Sequence, residues 1–115
     1  MLWWRDDDHR LKQSTRDAIK AASYVAVSMA SAWETAIKAS LGKLRLPTRF
    51  EVGLEENGFQ SLPITFDHID RIATLPRHHG DPFDRMLVVQ AQAEGLTLVT
   101  GDRAFQRYGL HILWT

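Results

Sequence analysis

The chain contains no cysteine among its 115 residues, which excludes a disulfide framework and any metal site built from thiolates. Its apolar runs are short, so the sequence offers no segment long enough to span a bilayer. The first apolar residues are followed at once by a run of acids, a pattern that predicts no signal peptide. Together these features favour a cytoplasmic protein that is not attached to a membrane.

Net charge is also lacking, because 14 basic side chains balance 14 acidic ones. A protein that binds nucleic acid through bulk electrostatics is usually basic, so any such contact here requires a local patch. No glycine-rich phosphate loop and no Ser–His–Asp arrangement is apparent. A chain of this length forms one domain, and we assign residues 1–115 to it.

The stretch from residue 81 to residue 102 has the clearest pattern. Asp81 is a predicted N-cap, the apolar residues that follow recur at helical spacing, and Gly95 is placed to end the helix. Residues 96–99 are then a predicted buried strand. The unit places one acid, Asp84, in the first turn of a helix and another, Asp102, just past a strand.

The rest of the chain alternates between predicted helices and strands. Helices are predicted at 14–22, after Ser31, at 47–57, 65–75 and 104–108, and strands at 24–28, 59–64 and 110–114. Ser31 and Glu34 have the spacing of a capping box. The predicted core residues of the helix that follows are Trp33, Ile37, Leu41 and Leu44, and Trp114 is also predicted to be core. The alternation predicts an α/β fold, a parallel sheet with helices on both faces.

Three acids, Glu34, Asp84 and Asp102, fall on elements that meet at the edge where parallel strands end. Carboxylate oxygens suit a hard cation such as magnesium, which acidifies bound water and stabilises charge on a phosphate. Our hypothesis is that these acids meet around a metal ion. Each also has a structural explanation: Glu34 completes a capping box, Asp84 favours the positive end of a helix dipole, and Asp102 caps a helix. Arg85 could line the same edge and offset phosphate charge.

These motifs resemble the PIN-domain family, specifically the VapC-type toxins of bacterial toxin–antitoxin pairs. The similarity runs through Ser31–Lys38, Asp81–Arg85 and Glu94–Thr100, and extends over nearly the whole chain. It implies a PIN-like parallel sheet of five strands, and cleavage of RNA that depends on Mg²⁺ or Mn²⁺. It further implies a cognate VapB-type antitoxin and a homodimer.

By motif, the resemblance assigns the metal to Glu34, Asp84 and Asp102. It also identifies Thr100 as a polar residue near the last acid, and we predict that Thr100 and Arg85 contact the substrate. One departure is expected to matter. The family opens with a central strand that ends in an aspartate, just before a Leu-Trp-Trp segment, and this chain begins at that segment, 2–4. We therefore expect the first, central strand and its acid to be missing, with weakened metal binding and hydrolysis.

Two other functions are compatible with the residues. A PIN-like module without catalysis would contact an antitoxin or RNA and show no metal-dependent turnover. A small α/β domain whose acids are only helix caps would lose roughly 1 kcal/mol for each acid changed to its amide, and metal would not stabilise it.

Overall fold

The computed structural model describes residues 2–3, 13–22, 24–42, 49–78 and 80–114. Strands are β1 (Leu2–Trp3), β2 (Val25–Ser28), β3 (Gln60–Leu62), β4 (Thr97–Thr100) and β5 (Ile112–Trp114). Helices are α1 (Gln13–Ala21), α2 (Met29–Ser40), α3 (Phe50–Glu56), α4 (Phe66–Ile72), α5 (Pro82–Glu94) and a 3₁₀ helix (Arg103–Tyr108). Among these described helices, none has the combined length and apolar character that crossing a membrane requires.

The described strands form one sheet of five, in the order β3-β2-β1-β4-β5, and every neighbouring pair is parallel. This confirms the α/β fold with a parallel sheet. The expected loss of the central strand is not confirmed, because Leu2 and Trp3 pair with Val25 and Ala26 on one side and with Thr97 and Leu98 on the other. Parallel strands on both sides present unpaired backbone groups, which the short β1 satisfies.

The core lies around α5 and the inner strands. Val88 and Val89 of α5 are completely buried and pack with Leu98 of β4 and Phe105 of the 3₁₀ helix. A second cluster joins Ala26 of β2 to Leu62 of β3, to Ala91 of α5 and to Leu96, which precedes β4. Because α5 contributes to both clusters, the packing of the core holds this helix, including its first turn, in place against the sheet.

Both predicted ends of α5 are confirmed. The Asp81 carboxylate accepts hydrogen bonds from the N–H groups of Phe83 and Asp84, at 2.8 and 3.1 Å. Gly95 ends the helix with φ of 65°, in the left-handed region that glycine adopts without steric cost.

The predicted start and core face of α2 are wrong. The helix begins after Ser28, whose hydroxyl caps the Ala30 N–H, so Ser31 lies inside the first turn and does not form a capping box with Glu34. The side chains predicted to be core are exposed: Trp33 by 61%, Ile37 by 38% and Leu41 by 63%. Leu44 lies outside the described residues. Helical periodicity identifies an apolar face but not what covers it, and the described elements leave much of this face exposed.

The remaining boundaries shift by a few residues. The helix predicted at 47–57 is α3, and residues 47 and 48 lie outside the described part. The helix predicted at 65–75 ends at Ile72 and continues as a turn. The strand predicted at 59–64 is β3, which lies at the sheet edge as expected. Trp114, predicted to be core, is only partly buried, and the Arg103 guanidinium lies 5.2 Å from its ring centroid.

Candidate active site

The candidate site lies where the parallel strands end, which we call the carboxyl edge of the sheet. β2 ends at Ser28 and passes directly into α2, and β4 ends at Thr100 just before Asp102. α5 is followed by the parallel strand β4 after a short connection, so the last turn of α5 lies where β4 begins. The first turn of α5 therefore lies at the opposite edge, where β4 ends. Glu34, Asp84 and Asp102 therefore belong to three elements that begin or end at one edge.

Asp84 is buried in the first turn of α5, with 4% of its surface exposed. Its backbone N–H is bonded to the capping carboxylate of Asp81. The amino-terminal end of a helix favours negative charge, because the first N–H groups point outward and the peptide dipoles are aligned. The end of the helix thus stabilises the negative charge of Asp84, a side chain that has little contact with solvent.

Asp102 is held by its neighbours at the end of β4. Its side chain accepts a hydrogen bond from the Ala104 N–H at 2.9 Å and so caps the 3₁₀ helix. Its own N–H donates to the Thr100 hydroxyl at 3.0 Å, and Thr100 is buried. The capping explanation from the sequence is therefore confirmed for Asp102, and Thr100 has a structural contact that fixes the backbone of this acid.

Glu34 lies in the second turn of α2 and is partly buried. The preceding residue, Trp33, meets Phe83 of α5 edge to face, with ring centroids 5.0 Å apart and an interplanar angle of 79°. Because Phe83 precedes Asp84, this aromatic contact brings together the chain positions on which two of the three acids lie.

The donor chemistry suits a divalent cation, since carboxylates are the ligands that magnesium prefers. However, the described residues contain no group of three or more His, Cys, Asp or Glu side chains that could hold a metal ion. The structure therefore places the three acids at one edge without assembling them into a single ligand set. The roles predicted for Glu34, Asp84 and Asp102 stay predictions.

Arg85, a predicted phosphate contact, is bonded within the protein. Its guanidinium donates to the carbonyl oxygens of Ile72, Leu75 and Pro76, at 3.4, 3.3 and 3.2 Å. These carbonyls belong to the last residue of α4 and to the residues just after it, where orphan acceptors and the helix dipole both favour a cation. The structure thus gives Arg85 a role in joining α5 to the end of α4.

A pocket of about 590 Å³ lies beside the aromatic contact. Apolar side chains of α2, α4 and α5 line it, including Trp33 and Phe83, together with the basic residues Arg77 and Arg85. None of the three predicted metal ligands lines this pocket. Its chemistry suits an apolar group with a nearby negative charge and does not suit a metal ion.

Large apolar side chains are exposed on α2 and α4. They are Met29, Trp33, Ile37, Leu41, Phe66 and Ile69. On a soluble monomer, contiguous exposed apolar groups commonly mark a surface that binds another macromolecule.

The sequence analysis assigned no role to two buried polar residues, Ser28, the last residue of a predicted strand, and Gln90, part of the segment that resembles the PIN family. They are hydrogen-bonded to each other although 62 positions separate them along the chain. Neither residue belongs to a local pattern that predicts such a pair, so only the three-dimensional structure reveals it.

Fold and site together define a class of protein: a parallel α/β domain with acids at its carboxyl edge, an arrangement suited to nucleases. The sequence matches the family model described as PIN domain over residues 1–110, so this chain belongs to the PIN-domain family. PIN domains are generally metal-dependent nucleases. A search of curated proteins gave no match to the chain.

Proposed function

We propose that this chain is a metal-dependent endoribonuclease toxin of the VapC type, acting in the cytoplasm. The observation that carries the proposal is that a PIN-domain chain places one acid on each of three elements at the carboxyl edge of its sheet. Glu34, Asp84 and Asp102 are the proposed ligands of Mg²⁺ or Mn²⁺. A bound divalent cation would acidify a water molecule and stabilise the charge that develops on the scissile phosphate.

The chain's own residues support this chemistry in different ways. The amino-terminal end of α5 favours the ionised form of a carboxylate at Asp84. Thr100 orients the backbone at Asp102 by accepting its N–H. The aromatic contact between Trp33 and Phe83 restrains the separation of α2 and α5, and with it the separation of Glu34 and Asp84. These contacts would position the acids before the RNA arrives.

The first prediction concerns the acids. We expect magnesium-dependent cleavage of RNA by the purified chain, at the weakened rate expected from the sequence. We further expect a loss of about 100-fold or more in kcat/KM in Glu34→Gln, Asp84→Asn and Asp102→Asn, because each change removes a charged ligand. Gel assays of labelled RNA with Mg²⁺, Mn²⁺ or EDTA measure this.

Glu55→Gln is the matched control, since Glu55 is an exposed acid on α3, away from the carboxyl edge. Equal rates for this control and the three site variants, or cleavage that persists in EDTA, would contradict the proposal.

A second candidate function is a PIN-like module that binds an antitoxin or RNA without catalysis. The observation that favours it is that the described acids are not grouped closely enough to hold a metal. This function predicts that RNA binding, measured by fluorescence anisotropy, is the same with Mg²⁺ and with EDTA, and that no product forms. Binding accompanied by metal-dependent product would exclude it.

The proposed partners are a cognate VapB-type antitoxin and a second copy of the chain. The exposed apolar side chains of α2 and α4 support a protein partner, because leaving them in water is unfavourable. Sedimentation equilibrium tests the homodimer, which would have twice the 13.1 kDa mass of one chain. A monomer at all concentrations would exclude that partner.

A further inference from the structure

One buried side chain, Gln90, connects α5 to the ends of two strands. Its Oε1 atom accepts a hydrogen bond from the Ser28 hydroxyl at 2.5 Å, and its Nε2 group donates to the Pro63 carbonyl at 3.3 Å. Ser28 is the last residue of β2, and Pro63 follows β3 directly. Both side chains are buried, with exposures of 0% for Ser28 and 1% for Gln90.

This network has one consistent arrangement. The Pro63 carbonyl can only accept, so the amide NH₂ of Gln90 must face it and the amide oxygen must face Ser28. The Ser28 oxygen donates its proton to Gln90 and accepts the Ala30 N–H at 3.0 Å. A buried network whose members are all bonded restricts the elements that it joins to a single relative placement.

The elements joined are the ones that carry two of the proposed metal ligands. Ser28 is the N-cap of α2, which carries Glu34, and Gln90 is part of α5, which carries Asp84. The hydrogen bond between Ser28 and Gln90 thus connects the start of one acid-bearing helix directly to the middle of the other.

We propose that Gln90 is a positioning residue, which acts through Ser28 to set the spacing between Glu34 and Asp84. This inference rests on the proposed function of the same site. Gln90 acts on α2 and α5 and does not itself touch RNA or metal, since it is completely enclosed between the helix and the strand ends.

A second polar connection of α5, buried at His68 but exposed at Glu94, supplies a control. The ring of His68, which is fully buried on α4, has its Nε2 atom 2.9 Å from the carboxylate of Glu94 at the end of α5. This pair also crosses between two helices, but α4 carries none of the three acids. Loss of either connection should lower stability, whereas only loss of the Gln90 connection should disturb the site.

The experiment compares Gln90→Met with His68→Leu in the full-length chain. Met is close to Gln in length but cannot form the two hydrogen bonds. In ¹H–¹⁵N spectra without metal or RNA, we expect Gln90→Met to shift the amides of Glu34 and Asp84 and His68→Leu to leave them in place. Unchanged amides in Gln90→Met, or equal shifts in both variants, would overturn the inference.

RNA cleavage gives an independent measurement at a temperature where both variants are folded. We expect kcat of Gln90→Met to fall on the order of tenfold to a hundredfold with KM unchanged, since misplacing a catalytic group by about 1 Å has effects of that size. His68→Leu should retain the wild-type kcat. If wild type does not cleave RNA, the proposed function fails, and the amide shifts alone decide the positioning role.

Ser28 provides a second pair of variants in case Gln90→Met does not fold. Ser28→Thr keeps the hydroxyl, so it should keep the wild-type amide shifts and kcat. Ser28→Ala removes both this bond and the cap on the Ala30 N–H, so it should shift the amides of Glu34 and Asp84 at least as far as Gln90→Met does. Equal behaviour of the Ala and Thr variants in both measurements would refute the role assigned to this hydrogen bond.

Discussion

At the scale of single residues, several polar groups at the carboxyl edge are used within the protein. Asp81 caps α5, Asp102 caps the 3₁₀ helix, and Thr100 accepts the N–H of Asp102. Arg85 donates to three carbonyl oxygens at and just beyond the end of α4. A contact of this kind does not preclude a role with RNA, but it predicts that changes here alter stability as well as activity.

Arg85 can be tested for its structural role with a change that conserves charge. Arg85→Lys retains the positive charge but cannot reach three carbonyls with one ammonium group, so we expect the free energy of unfolding to fall by about 1–3 kcal/mol. Urea titration measures this. Arg107→Lys, at an exposed position in the 3₁₀ helix, should leave stability unchanged. Equal unfolding midpoints for the two variants would contradict the role of Arg85 at the end of α4.

Thr100 offers a similar test at the end of β4. Thr100→Val preserves the shape of the buried side chain but removes the oxygen that accepts the Asp102 N–H, so we expect a loss of about 1 kcal/mol. Thr100→Ser retains the oxygen and serves as the control for the hydrogen bond. Thermal denaturation of both variants measures the difference, and a Val variant more stable than the Ser variant would argue against this contact.

At the scale of secondary-structure elements, α5 is the best defined part of the protein. A side-chain cap and a proline begin it, a left-handed glycine ends it, and its buried middle, residues 87–91, supplies both core clusters. Asp84 lies in the first turn of this helix, so the cap at Asp81 and the contacts near that end hold its backbone in place.

The end of α5 can be tested through Gly95. An added Cβ would meet no atom within 4 Å, so only the positive φ of 65° penalises a substitution. We expect Gly95→Ala to destabilise the protein by roughly 1–2 kcal/mol, the cost of the left-handed conformation for an L-residue. Gln92→Ala, on the exposed face of the same helix, should change stability by less than about 0.5 kcal/mol. Calorimetry distinguishes these outcomes.

Comparison of α5 with α2 shows what could be predicted from the sequence. The ends of α5 depend on local interactions, between Asp81 and the next N–H groups and at Gly95, so the sequence predicts them well. The apolar face of α2 has the correct period, but its exposure depends on which elements pack nearby. The partners of β1 depend on residues more than 20 positions away, and no local pattern predicts that Leu2–Trp3 takes the central position.

The candidate site also has features that the sequence predicts and features that depend on residues distant along the chain. Its location at the carboxyl edge follows from alternating strands and helices, which the sequence indicates clearly. Whether three carboxylates converge depends on side-chain directions and on the relative placement of α2, α5 and β4. The bond between Ser28 and Gln90 is one contact that sets this placement, and it joins segments that the sequence analysis had treated separately.

At the scale of the whole molecule, the protein has a small core and a partly apolar exterior. Phe105 is 1% exposed within the main cluster, whereas Phe66, at the start of α4, is 84% exposed. The two phenylalanines therefore make very different contributions to folding, although their side chains are identical.

We expect Phe105→Ala to cost about 3–5 kcal/mol, since it removes a large side chain from a closely packed core. Phe66→Ala should change the free energy of unfolding by less than about 0.5 kcal/mol, because its ring is largely in water already. Guanidinium titration of both variants measures the contrast. A large loss in Phe66→Ala at low protein concentration would indicate that this ring is covered in solution.

The edge-to-face contact between Trp33 and Phe83 has a practical consequence for spectroscopy. An indole that is 61% exposed emits at long wavelength and is quenched by iodide, and it becomes shielded when another molecule covers it. Trp33 precedes Glu34 and its ring partner precedes Asp84, so its emission responds to events beside both acids. Subtracting the spectrum of Trp33→Phe would isolate this signal from the other tryptophans, and the protein thus contains an intrinsic optical reporter of ligand arrival.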